Sequence, residues 1–171
     1  EMMEIWNQVC RPPEEALKKI TGGRLSGMTD ISPQWRYKVM TEVFGPCGIG
    51  WRYEIVKFWS QEAGDETLAF CQVNLYYRKG GEWSEAVPGI GGSMLTAIEK
   101  RGAYHSDECY KMALTDALSV AMKTLGVGAD IYMGMWDGSK YKKEQVEYAS
   151  EAQRKELLRL VGEFGDATPE G

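Results

Sequence analysis

The sequence predicts a mixed α+β fold, and three observations carry that prediction. Residues 51–87 read as three successive β-segments joined by tight turns, an antiparallel meander. Residues 107–125 then place their apolar side chains at helical period, forming one stripe. The order is helices first, then the meander, then a helix to cover its face, which is the α+β pattern. Length and composition agree. The 171 residues suit one domain, and 43% apolar with 26% charged residues is ordinary for a protein that buries a core.

Taken in order, Pro12-Pro13 ahead of Glu14-Glu15-Ala16-Leu17-Lys18-Lys19 predicts a short helix. Proline stands at its entrance, acidic residues fill its first turn, and Gly22-Gly23 stops it. Residues 24–31 are glycine-punctuated and extended. Ser32 caps a second helix with Pro33 in its first position, running through Trp35, Val39, Met40 and Val43 to Phe44-Gly45-Pro46. A Gly48–Gly50 turn leads into strands. Residues 51–59 interleave charges with β-formers. Residues 61–66 make a polar turn, and 67–79 make a long strand whose apolar parity changes near Cys71-Gln72, as at a bulge. Gly80-Gly81 turns the chain into a third strand over 82–87. Residues 88–93, rich in glycine, read as a flexible link into 94–101. The strongest helix follows over 107–125, with Tyr110, Ala113, Leu114, Ala117, Leu118, Ala121, Met122 and Leu125 as its stripe, ended by Gly126 and Gly128. A connection over 129–143 leads to an amphipathic helix over 144–164 and a disordered tail over 165–171.

Net charge is −5, which argues against a generic basic nucleic-acid binder. Its distribution says something else. Residues 1–15 carry net −3 and residues 58–171 net −6, while residues 16–57 carry +4. In that basic third, cations interleave with aromatics: Arg24, Trp35-Arg36-Tyr37-Lys38, Trp51-Arg52-Tyr53. Phosphates take Lys or Arg and exposed bases take flat rings, so a groove for single strands needs both together. On composition alone, core aromatics with a solvated cationic rim are the preferred reading of the same residues.

Other chemistries find little support. No apolar stretch reaches the roughly 18–20 residues of a membrane span, and no targeting segment is expected at a start, Glu1-Met2-Met3, that points to a trimmed terminus. The scattered Cys10, Cys47, Cys71 and Cys109 form no C-x-x-C pair, so buried free thiols in a reducing cytosol are expected rather than zinc or disulfides. There is no G-x-x-x-x-G-K-[ST] loop. The single His105 sits in a polar run before the long helix, an exposed flank rather than a catalytic base. Glu99, Asp107, Glu108 and Asp116 match no metal template, and Asp107 and Glu108 suit a helix N-terminus. Asp116 among Ala and Leu positions needs a partner, and structural pairing is expected. No catalytic residue, metal or cofactor is therefore assigned.

Three pieces occur in a familiar order: Lys19-Ile-Thr-Gly22-Gly23; a helix ending Val43-Phe44-Gly45 with Gly50-Trp51 beyond; and Tyr110-Lys-Met-Ala-Leu-Thr115-Asp116-Ala-Leu-Ser-Val-Ala-Met-Lys123-Thr-Leu-Gly126. With the meander between them, they resemble the annealing domain of the Rad-fifty-two superfamily, especially its bacteriophage Sak-type recombinases, over residues 13–133. The resemblance implies a β-β-β-α core that assembles into rings or filaments and anneals complementary DNA strands without ATP. It makes residues 1–143 the annealing and oligomerisation domain, and places a phage-encoded protein in the host cytoplasm. Single-stranded DNA, the annealed duplex and further copies of the chain are its implied partners. Lys19 stands where the family has a backbone-contacting basic residue, and Lys123 keeps a basic position of the long helix. Ser119 and Val120 depart from the Lys and Arg of eukaryotic relatives, and the outer DNA site of those relatives has no residue-by-residue match. Arg24, Arg36, Arg52, Lys100 and Arg101 are candidates to complete the groove on charge alone. The Glu-rich last helix has three readings: a contact for a host single-strand-binding protein, a closure of the assembly, or a solvated face. Two other functions stay open, a metal-dependent nuclease using Asp107, Glu108 or Asp116 and an oligomeric scaffold with no DNA role.

Overall fold

The alternation over residues 51–79 becomes two long antiparallel strands, β3 (Trp51–Ala63) and β4 (Glu66–Lys79), turning at Gly64-Asp65. The computed structural model describes residues 1–134 and residue 159. The helix expected over 144–164, the tail over 165–171 and the second half of the preceding connection lie outside the described residues.

Ahead of the sheet come α1 (Glu4–Val9), a single 3-10 turn (Glu14–Ala16), the hairpin β1 (Leu17–Lys19) and β2 (Thr29–Ile31), and α2 (Pro33–Phe44). After β4 come the two-residue β5 (Glu82–Trp83), then β6 (Val87–Glu99), β7 (Gly102–His105), α3 (Cys109–Thr124) and α4 (Ala129–Tyr132). The main sheet runs β3-β4-β6-β7, antiparallel throughout, with β5 on the end of β4. The chain is thus mixed α+β, with α3 packed across β6 and β4.

The best-signalled helices form as their sequences dictate. Ser32 Oγ accepts the Trp35 N–H at 3.4 Å and Pro33 opens α2. On α3 the stripe residues Ala113, Ala117, Leu118, Ala121 and Met122 are buried against Cys71, Val73 and Leu75 of β4 and Val39 and Met40 of α2. The six-residue α1 carries no sequence signal. It is held at the far end of α3, where the Gly128 N–H donates to the Val9 carbonyl at 3.0 Å and Asp130 N–H to that of Cys10 at 3.0 Å.

Three expectations are corrected. The stretch 14–19 is one 3-10 turn followed by a strand, because a helix that short is dominated by its nucleation cost while Leu17, Lys18 and Lys19 find ladder partners in Ile31, Asp30 and Thr29. The bulge lies on β3, where Val56 is the extra residue between Ile55 and Lys57. β4 keeps one parity: Ala69, Cys71, Val73 and Leu75 are all buried, and Leu68 and Phe70 belong to the other face. The third long strand is not 82–87 but β6, built from the stretch that reads as a flexible link.

Glycine explains that last correction. Gly89 and Gly91 face the same side as Val73 and Cys71, under α3. A Cβ on Gly89 would fall on the Ala117 carbonyl oxygen, and one on Gly91 on the Ala117 nitrogen. The two glycines let a helix backbone rest directly on a strand backbone. Asp116, the carboxylate that lacked a partner in sequence, accepts the Gly92 N–H at 3.0 Å on Oδ2 and ties the same two elements.

Candidate nucleic-acid interface

One flank of α3 carries Lys111, Thr115, Asp116, Ser119 and Lys123 at helical spacing. Together with Asp30 of β2, Arg36 of α2 and Tyr132 of α4, they line an open groove of about 420 Å³. Its floor is set by Arg36, only 6% exposed. The Arg36 Nη1 donates to the Ile31 carbonyl at 3.1 Å and Nη2 to the Tyr132 hydroxyl at 3.1 Å, joining residues 96 positions apart. Its Nε–H is buried with no partner, and no described carboxylate forms an ion pair with the guanidinium. A cation so placed is costly unless an anion comes to it.

Lys123, exposed on the last turn of α3, holds its Nζ 4.6 Å from the centroid of the Tyr132 ring. Lys111 at the other end of the groove is paired with Glu108 Oε1 at 2.6 Å, which holds the Glu108 carboxyl below the ordinary carboxylate range, first through the hydrogen bond and then through charge. The β1–β2 hairpin stands beside the groove, since Ile31 and Asp30 end it there. Lys19 is exposed at the end of β1 and Arg24 is exposed in the loop. Cross-strand partners share a face, so Lys18, opposite Asp30, lies on the groove side of the hairpin, and Lys19, opposite buried Thr29, on the alternate side. No described carboxylate pairs with Lys18, Lys19, Arg24 or Lys123.

Of the sequence candidates, then, Arg36 and Lys123 line one groove, with Lys19 and Arg24 on the neighbouring hairpin. The others lie elsewhere. Arg52 is on the sheet face opposite α3, its guanidinium carbon 4.5 Å from the Tyr76 ring centroid and 4.9 Å from that of Trp83, with Glu54 Oε1 at 3.5 Å from Nη1. Lys100 and Arg101 make the β6–β7 turn. Because α3 runs antiparallel to β6, that turn is at the opposite end of the helix from Lys123. At about 3.3 Å per residue, the strand carries it roughly 35 Å beyond Gly89. Lys111 and Tyr132 line the groove and are not among the sequence candidates; Tyr132 in particular is brought there only by tertiary packing.

The remaining reactive side chains are tied into the fold. Asp116 bonds Gly92, and Glu108 bonds Lys111. Among the described residues, no three His, Cys, Asp or Glu side chains converge as a metal set. His105 ends β7 rather than flanking a helix, with Nδ1 3.1 Å from Thr96 Oγ1 across the ladder. All four cysteines are free. Cys71 and Cys109 are buried, but Cys10 is only half-buried and Cys47 is exposed, so the expectation of buried thiols holds for two. Desolvation pushes the Cys71 thiol above its ordinary value. No described helix is long and apolar enough to cross a membrane. No protein-family profile matches this chain, and neither does any characterised protein.

Proposed function

We propose that this protein binds single-stranded DNA in the α2–α3 groove and anneals complementary strands without ATP, working as a homo-oligomer in phage-type recombination. The groove carries the reading. It combines a buried guanidinium with no ion-pair partner among the described residues, an exposed lysine and an aromatic ring, beside a hairpin whose Lys18, Lys19 and Arg24 pair with no described carboxylate. Phosphates neutralised along such a groove leave base edges outward, where a second strand can test pairing. Nothing covalent happens in this mechanism.

The oligomer has its own support. β3 and β7 are the edges of the sheet, and beyond Trp51, which bridges to Cys47, the outer edge of β3 pairs with no other described strand. On the α3 side of β3, Tyr53, Ile55 and Phe58 are exposed, with Tyr110 packed edge-on against Phe58, ring centroids 5.4 Å apart. At the opposite edge Ile98 and Tyr104 are exposed, and Met112 of α3 as well. Two different apolar edges on one subunit fit a head-to-tail contact that closes into a ring or continues as a filament.

The test is annealing of two labelled complementary oligonucleotides without nucleotide cofactor, with affinity measured across salt. Affinity should fall steeply with salt. Lys19→Ala and Lys123→Ala should each weaken binding about fivefold near 0.1 M salt and flatten the log–log salt slope by about 0.7 to 1. If both variants anneal like wild type, the site assignment is wrong. The exposed apolar edges also suit an oligomeric scaffold, and salt-independent failure of the wild type to bind single strands would favour that reading. Magnesium-dependent cleavage of the oligonucleotide would favour a nuclease.

A further inference from the structure

We propose that Tyr132 is a base-stacking residue of this groove, positioned by Arg36, and that Lys123 exchanges the Tyr132 ring for a strand phosphate when nucleic acid enters. The inference rests on the nucleic-acid reading above and adds the residue that contacts the base.

Three observations lead to it. The Tyr132 side chain lines the groove but does not hang freely, because its hydroxyl is anchored by the Arg36 Nη2 at 3.1 Å. Arg36 is itself immobilised by burial and by its bond to the Ile31 carbonyl. A ring held at its para position loses little further freedom when a base lies on it, which is what makes a stacking platform effective. Second, the Lys123 ammonium stands over the ring at 4.6 Å from its centroid. A cation–ring contact at an exposed position is weak, whereas a charge-assisted bond from ammonium to phosphate is stronger. An arriving phosphate therefore draws Nζ off the ring and towards the strand, exchanging the cation over the ring for a base. Third, Arg36 keeps a buried positive charge with no described carboxylate at ion-pair distance, although Asp30 and Asp116 line the same groove, and its Nε–H has no partner. Phosphate is the anion a strand supplies, so the charge at the groove floor and the ring beside it are matched to the two halves of one nucleotide.

Stacking uses the face of a base and leaves its pairing edge free. That division suits annealing, because the strand is held by phosphate and ring while its hydrogen-bonding edge remains available. It also predicts tolerance of sequence, since every base has a face. Towards the base Arg36 acts through Tyr132, as a positioning residue, while its charge serves the phosphate.

The experiment compares a short oligothymidylate with an abasic strand of the same length and backbone charge. Wild type should bind the base-bearing strand about tenfold or more tightly than the abasic one. Tyr132→Leu should collapse that ratio towards one while retaining affinity for the abasic strand, and Tyr132→Trp should restore it. Lys123→Ala should weaken both strands alike and keep the ratio. A Tyr132→Leu ratio equal to wild type overturns the proposal, as does a wild-type ratio near one. Should Tyr132→Leu fail to fold by circular dichroism, photocrosslinking of wild type to a 5-iodouracil strand decides instead. An adduct mapped by mass spectrometry to Tyr132 supports stacking, and adducts only elsewhere overturn it. Wild type that binds neither strand overturns the nucleic-acid reading itself, a distinguishable outcome.

Discussion

At the scale of single residues, the ion pairs seen among the described residues are surface contacts, and one of them makes a clean pH prediction. Lys79 Nζ lies 2.8 Å from Glu4 Oε2, joining α1 to the end of β4, and its hydrogen bond, then its charge, lowers the Glu4 pKa below the ordinary carboxylate range. A carboxylate whose pKa is depressed on folding contributes stability above its unfolded pKa, and that contribution is lost as pH falls through the folded value. The Glu4 carboxyl carbon should thus titrate below ordinary glutamates by NMR and return to the ordinary range in Lys79→Met. An unchanged midpoint in the variant would remove the bridge as the cause. Asp116 shows how far single-residue reasoning reaches. Its setting among small apolar residues marks it as a carboxylate in need of a partner, but the partner is a backbone N–H on a strand that the sequence disguises.

Among the elements, α2 and α3 are legible because their signals are local: a serine cap with proline after it, and an apolar stripe closed by glycine. β6 is hidden for an equally physical reason. Glycine and proline in 88–93 read as linker, since both weaken an isolated strand, yet here glycine is selected by what lies on top of it. Gly91→Ala should therefore destabilise the fold by about 1–3 kcal/mol or more, because its methyl meets helix backbone that has no rotamer to yield. Gly22→Ala, with open space around it, should stay within about 0.5 kcal/mol. Chemical denaturation of the two variants checks this, and equal midpoints would mean that α3 lifts off β6 at little cost. The groove divides in the same way. Lys123 and Arg36 are visible as charges in sequence, but nothing local joins Arg36 to Tyr132 or separates Arg52 onto the other face of the sheet.

For the whole molecule, the governing feature is asymmetry between edges. β3 leaves backbone and the apolar Ile55 and Phe58 uncovered at one side, and Ile98 and Tyr104 are exposed at the other. Light scattering should give a mass well above 19.2 kDa, and Ile55→Asp with Phe58→Glu should return it towards the monomer without loss of circular dichroism. A strictly monomeric wild type, with and without DNA, would sink the head-to-tail assembly. The glycine seat of α3 acquires a further meaning in such an array. Gly89 and Gly91, two residues apart on β6, engage Ala117 and its neighbours Asp116 and Ala121 on the helix, like teeth meeting a rack. Sliding the helix by one residue would drive side chains into backbone, so its position along the strand is indexed rather than merely preferred. The distance from groove to sheet edge is then a machined dimension. In the proposed head-to-tail assembly, subunits repeated edge to edge would inherit it as a constant pitch, the spacing at which successive stretches of one strand would be offered to its complement.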